Sequence, residues 1–261
     1  MVGRREKGGG VEFSFGEDRQ RVNVPDAEAL LEAVRARQRA GDGFALATIN
    51  LDHLVKLRGS ERFREAYAAQ DLVVADGHPI VWLSRLAGRK VSLVPGSDMV
   101  LPLAEVAAQE GVGVGLVGST DETLAAAGAE MVSLIPGLKI VARIAPPMGF
   151  DADGQGAEDV FAGLEASGAG LVFLALGAPK QEILAANGRA RLPGVGFASI
   201  GAGLDFLAGS QKRAPAWIRA IVMEWAWRLF SDPRRLGPRY AKCFAILPGH
   251  MWRAIWARFR R

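Results

Sequence analysis

Cysteine is almost absent: Cys243 stands alone in 261 residues. That excludes an intramolecular disulfide framework and a Cys-based structural zinc site, and it fits a reducing cytoplasm. Histidine is scarce too, with His53, His78 and His250 far apart and no His-x-x-His or Asp-x-Asp device, so no metal site is expected. Neither a Walker loop nor a Gly-x-Ser-x-Gly elbow occurs, which removes the commonest phosphate-loop and serine-hydrolase chemistries. No stretch approaches the roughly 20 apolar residues of a membrane-spanning helix. The opening MVGRREKGGG is basic with no apolar run behind it, and so does not read as a secretory signal. Internal repeats are missing as well.

What is present is a core-forming composition, 49% hydrophobic, and a lopsided charge. From Lys212 onward there are 12 Lys or Arg and only Glu224 and Asp232 as acids, a balance of +10, against −6 for residues 1–211. Five of six tryptophans, Trp217, Trp225, Trp227, Trp252 and Trp256, fall in the same basic segment. Such asymmetry marks a chain end with its own partner. Two domains are therefore expected: a catalytic unit over 1–211 and a helical appendage over 212–261.

Up to Gln211 the pattern alternates. Short apolar runs at 11–15, 44–50, 71–76, 112–118, 139–145, 171–177 and 195–201 read as strands, and helix-like stretches lie at 27–40, 97–109, 120–135 and 179–190. Nearly continuous apolar strands separated by helices indicate βαβ units and a doubly wound, mostly parallel, Rossmann-like sheet. Ligands then bind beyond the carboxyl ends of the strands. The polar clusters sit there: Thr48 and Asn50; Asp76, Gly77 and His78; Gly118, Ser119 and Thr120; Gly177 to Gln181; Gly201 to Asp205. Five clusters on one rim make a binding cleft.

Asp76 ends a core strand, as either a turn residue or a catalytic base, and His78 stands two residues on. Gly113-x-Gly115-x-x-Gly118 matches a dinucleotide fingerprint literally, but its first two glycines fall inside the strand instead of after it. Ser119 or Thr120 can cap the next helix or present free N–H groups to a diphosphate. In Gly177-Ala-Pro179-Lys180-Gln181-Glu182, Pro suits a first helical turn, and Lys180 and Gln181 are expected to project from it toward phosphate or sugar oxygens. His53 reads as helix surface. Along the tail, Ala214-Pro215 opens a helix with Ile218, Ile221, Val222, Trp225 and Leu229 on one face and Glu224 paired with Arg228. Trp252, Ile255, Trp256 and Phe259 form a second apolar stripe flanked by arginines, the requirement of an interfacial membrane helix. Nucleic acid is not the expected partner, since the stripe is one-sided and no nucleic-acid fold signature accompanies it.

Taken in order, Thr48-Ile-Asn50, Ala75-Asp76-Gly77, Pro95-Gly96-Ser97-Asp98, Leu176 to Glu182, Gly201-Ala-Gly203-Leu204-Asp205, Arg213-Ala-Pro215, Glu224-Trp225, Arg228-Leu229, Pro233-Arg234-Arg235 and Arg239-Tyr240 resemble the WecG/TagA/CpsF family of bacterial glycosyltransferases (glycosyltransferase family 26). The resemblance runs from about Phe44 to Tyr240. It implies transfer of a sugar from a UDP-sugar to a polyprenyl-diphosphate-linked sugar by a metal-independent inverting displacement, without cofactor. It also implies a place at the inner face of the plasma membrane, a role in exopolysaccharide, capsule or teichoic-acid-like polymer synthesis, and room for a homo-oligomer. By resemblance Asp76 is the base, and Thr48, Asn50 and Gln181 position the sugars. Gly77, His78, Gly96, Ser97, Asp98, Gly118, Ser119, Thr120, Gly177, Pro179, Lys180, Gly203 and Asp205 would line the substrates, and Arg213, Arg228, Arg235 and Arg239 would face the departing diphosphate. One departure is Leu93, where the family commonly has Arg; Arg89 and Lys90 are the nearest basic residues, and donor identity is left open. Two other classes remain alternatives: a catalytically silent sugar-nucleotide-binding protein and a peripheral NAD(P)-dependent oxidoreductase.

Overall fold

The computed structural model describes residues 11–15, 17–211, 215 and 224–259, apart from the side chains of Glu224, Arg228, Ser231 and Arg235. Arg213, Ala214, Ile218, Ile221, Val222 and the expected Glu224–Arg228 pair lie outside the described residues, as do the side chains of Arg228 and Arg235. The chain order is β1 (Glu12–Phe15), β2 (Asp18–Arg21), α1 (Ala27–Ala40), β3 (Phe44–Ile49), α2 (Leu51–Gly59), α3 (Glu61–Ala68), β4 (Leu72–Ala75) and α4 (His78–Leu86). A 3-10 turn (Gly96–Asp98) leads to α5 (Val100–Gln109), β5 (Val114–Gly118), α6 (Asp121–Leu134), β6 (Ile140–Ile144) and α7 (Gln155–Ser167). β7 (Leu171–Ala175), α8 (Lys180–Arg191), β8 (Gly196–Ser199), α9 (Gly203–Leu207), α10 (Glu224–Ser231) and α11 (Pro233–Phe259) complete the order.

Six strands form one parallel sheet in the order β4-β3-β8-β7-β5-β6. The fold is a doubly wound Rossmann-like sheet with a C-terminal helix. Strand periodicity sends alternate side chains to opposite faces. On one face Phe44, Leu46, Val74, Leu116 and Phe173 pack with residues of α1, α5 and α6. On the other, Val117, Val172 and Leu174 meet α7 and α8, while Ala47, Ile49 and Val73 meet α2, α3 and α4. Burying each large side chain contributes roughly 1.5–3 kcal/mol, so both faces are needed to hold a sheet of six short strands.

The expected 11–15 strand exists but lies outside this sheet: with β2, absent from the sequence reading, it forms an antiparallel hairpin. Helix 27–40 has the expected ends, with Asp26 as N-cap and Gly41 in the left-handed conformation at its close. Cys243, Ile246 and Ala254 of α11 share the core of α2, α3 and α4, so the C-terminal helix packs directly against the part of the fold that carries the cleft.

Candidate functional site

All six strands are parallel, so their carboxyl ends share one edge. Five adjacent strands, β4, β3, β8, β7 and β5, carry the five polar clusters. The connection after β5 runs to β6 and the one after β7 runs to β8, on opposite sides, which opens a crevice between Gly118 and Gly177. The rim's residues come together, though not all of them face outward.

Asp76 follows β4. Its backbone N–H donates to the Ile49 carbonyl at 2.9 Å, and its Oδ2 accepts from Asn50 Nδ2 at 3.1 Å. Asn50 is the N-cap of α2: its Oδ1 accepts from the N–H groups of Asp52 and His53 at 3.1 and 3.2 Å. With Oδ1 occupied in this way, the amide has one orientation left, and its Nδ2 aims at Asp76. Gly77 has φ of 100°, in the region that favours glycine, and it turns the chain from β4 into α4. His78 opens α4, half-buried, its ring 6.3 Å from that of the exposed Trp82.

Thr48 is buried in β3, and its carbonyl accepts from the Tyr67 hydroxyl at 2.8 Å. Burial, then the charges of Glu182 and Asp76, push the Tyr67 pKa well above the ordinary tyrosine value, so the phenol stays a donor. Gly96 packs so tightly on this strand end that a Cβ there would lie 3.0 Å from Thr48 Cγ2 and 3.1 Å from Ile200 Cα. Ser97 and Asp98 are carried outward by the same 3-10 turn. Gly203 is buried, with Ser97 Cα 3.2 Å from where its Cβ would be.

On the β5 side, Ser119 Oγ donates to Asp205 Oδ1 at 2.8 Å, which joins the β5 rim to α9. Thr120 caps α6, accepting from Thr123 N–H at 3.3 Å. Gly118 has φ of 122°, and a Cβ there would fall 2.4 Å from the Ala175 carbonyl oxygen.

Around Gly177 the structure corrects two expectations. Gln181 does not project from the helix start. It is buried, its Oε1 accepts from Gly177 N–H at 3.2 Å, and its Nε2 donates to Glu182 Oε1 at 2.8 Å. Lys180 is half-buried at the start of α8, and the Ala178–Pro179 bond before it is cis. His53 is not helix surface either: it is buried, its Nδ1 accepts from the Asn50 N–H at 3.1 Å, and its Nε2 lies 3.4 Å from Glu182 Oε1. The Asn50-x-x-His53 spacing is that of a capping box, a signal that could have placed this residue.

Arg239, from α11, does not stand free for a diphosphate in this structure. Its Nε lies 2.8 Å from Asp52 Oδ1. Asp52 also pairs with Lys56 at 2.8 Å, and Lys56 Nζ donates to the Ala178 carbonyl at 2.9 Å. The C-terminal helix is thereby tied through α2 to the Gly177 loop. Leu93 is partly buried against the core of α2, α3 and α4. Among the described residues no group of three His, Cys, Asp or Glu gathers as a metal would require, and no helix is long and apolar enough to cross a membrane.

A carboxylate held by an amide at the carboxyl end of β4, beside the starts of α2 and α4, is suited to proton transfer beside a bound anion. These features describe a doubly wound α/β fold whose polar clusters share the carboxyl edge of one parallel sheet. The model of the glycosyl transferase WecG/TagA/CpsF family matches residues 19–261, and the chain belongs to that family. It is a glycosyltransferase of cell-surface polymer synthesis, using a sugar-nucleotide donor and a sugar acceptor.

Proposed function

We propose that this enzyme moves a sugar from a UDP-linked donor to a polyprenyl-diphosphate-linked sugar in one inverting displacement, in synthesis of an exopolysaccharide, capsule or teichoic-acid-like polymer. Asp76 takes the acceptor hydroxyl proton. The acceptor oxygen bonds to the anomeric carbon from the face opposite the diphosphate, and the C–O bond to the diphosphate breaks, with UDP leaving as the anion. The observation that carries this reading is the aim of the Asp76 carboxylate, fixed by Asn50 at the end of β4. Asp76 is half-buried, which leaves it within reach of a substrate. Charge on the leaving diphosphate is met by helix N-termini, whose free N–H groups and dipoles favour an anion without a metal or cofactor.

The acceptor's lipid chain calls for work at the inner face of the plasma membrane. Supporting this, Trp252, Trp256 and Phe259 are exposed on α11, with Arg253 and Arg258 also exposed on the same helix. That combination of aromatic and basic groups suits peripheral attachment to anionic lipid. The test is a donor screen with a synthetic lipid-diphosphate GlcNAc acceptor and neutral, acidic and N-acetylated UDP-sugars. One donor is expected to turn over with inversion, and Asp76→Asn to lower kcat by about 10²–10⁴. Absence of turnover with every UDP-sugar, or an active Asp76→Asn protein, would overturn the reading.

A further inference from the structure

Behind Asp76 runs a continuous polar chain whose middle members, His53, Glu182 and Gln181, are buried. Asp76 Oδ2 accepts from Asn50 Nδ2 at 3.1 Å, Asn50 N–H donates to His53 Nδ1 at 3.1 Å, and His53 Nε2 lies 3.4 Å from Glu182 Oε1. The same Glu182 oxygen accepts from Gln181 Nε2 at 2.8 Å, and Gln181 Oε1 accepts from Gly177 N–H at 3.2 Å. The chain passes beneath the cleft from the β4 loop to the β7 loop. His53 and Glu182 are its interior members, 5% and 0% exposed, so neither can touch a substrate bound on the rim.

Geometry settles the histidine's chemical form. The Asn50 N–H is a donor, so Nδ1 must present its lone pair, and the ring hydrogen sits on Nε2, which faces Glu182. Glu182 Oε2 has no hydrogen-bond partner among the described residues. A buried carboxylate with an unsatisfied oxygen costs stability. An apolar pair would fill the space beside Phe63 and Tyr67, whose rings lie 6.1 and 5.9 Å from that of His53, at no such cost. What an apolar pair cannot do is accept the Asn50 N–H and so hold the Asn50 turn in place.

We propose that His53, backed by Glu182, is a positioning residue for glycosyl transfer: it locks the Asn50 turn so that the Asn50 amide keeps the Asp76 carboxylate on the acceptor hydroxyl. The proposal rests on the reading of Asp76 as the base. Displacing a catalytic group by about 1 Å costs on the order of 10²-fold in rate, and loss of a support one residue removed should cost somewhat less.

The experiment is steady-state kinetics on the full-length protein with UDP-sugar and lipid-linked acceptor, well below the melting temperature of each variant. His53→Ala is expected to lower kcat about tenfold to hundredfold, with both KM values within about twofold of wild type. His53→Gln, which supplies the usual capping-box side chain, is expected to recover most of the loss. Combining His53→Ala with Asn50→Ala should add little to the loss from Asn50→Ala, because both act through one amide. A purely structural role would lower the melting temperature and leave kcat of the folded protein unchanged; that result, or losses that multiply in the double variant, overturns the proposal. If His53→Ala does not fold, Glu182→Gln keeps size and shape: a severalfold fall in kcat supports the proposal, and wild-type kcat overturns it. An inactive Asp76→Asn beside a fully active His53→Ala removes the positioning role alone, whereas an active Asp76→Asn removes the base assignment and the proposal with it.

Discussion

Arg239 of α11 and Asp52 of α2 form an ion pair of 2.8 Å, and the second oxygen of Asp52 is held by Lys56, which also grips the Ala178 carbonyl. Burial raises the Asp52 pKa, but Lys56 and Arg239 outweigh burial and hold it below the ordinary carboxylate value. A double-mutant cycle on Asp52→Asn and Arg239→Gln should give a coupling of roughly 0.5–1.5 kcal/mol, read from denaturant midpoints. A folded pKa below the unfolded one means the contribution is complete above the ordinary Asp value of about 3.9 and is lost as pH falls through the lowered one. The cost of Arg239→Gln in melting temperature should therefore shrink as pH falls through that lowered value. A cost unchanged with pH would show that the pair does not hold the C-terminal helix.

His250 carries a second pH dependence of the same sign. Burial, then the charges of Arg58 and Arg253, lower its pKa to about 4. Below an unfolded value of about 6.5 the unfolded chain binds a proton that the folded chain refuses, so stability is lost progressively between about pH 6.5 and about pH 4. His250→Phe keeps the ring that meets Phe13 edge-on at 5.6 Å. Its melting temperature should fall less than that of wild type between pH 7.5 and pH 5.

Asn50→Ala removes an N-cap and the donor to Asp76 together. Loss of the cap costs about 1 kcal/mol, visible as a lower melting temperature. The kinetic loss should exceed anything that fall explains, appearing in kcat with KM nearly unchanged.

Gly118→Ala should be among the most damaging single-methyl additions. Its φ of 122° and the Ala175 carbonyl oxygen 2.4 Å from the new Cβ leave no room without moving the β7 strand end. A destabilisation of about 2 kcal/mol or more is expected from strain and overpacking together. Gly177→Ala, at φ of 70° with open space around it, should cost about 1–2 kcal/mol from backbone strain alone.

Trp252 and Trp256 lie with ring centroids 6.3 Å apart on the exposed face of α11. Trp252→Ala with Trp256→Ala should weaken sedimentation with anionic vesicles by at least tenfold, and raised salt should weaken the wild type further. Equal binding by the double variant would rule out this tryptophan face as a docking element.

Much of this was legible in the sequence because it depends on local pattern. Apolar runs of strand length alternating with helices imply a parallel sheet, and a parallel sheet sends every carboxyl end to one edge. The five polar clusters had to share a rim for that reason. What linear pattern does not encode is strand order. β3 lies beside β4, which brings Asn50 to Asp76, and α8 packs across β3, which brings Glu182 to His53. Burial was hidden for the same reason: Gln181 and His53 read as outward-facing because a helix's first turn is polar in either case, and only the packing of α3 and α8 on the sheet turned them inward. Arg239 could be placed in a basic tail by composition, but its partner was decided by where α11 lies across α2. Residue chemistry and spacing determined which groups stand at the strand ends; the tertiary fold decided which of them face the cleft and which hold it in shape.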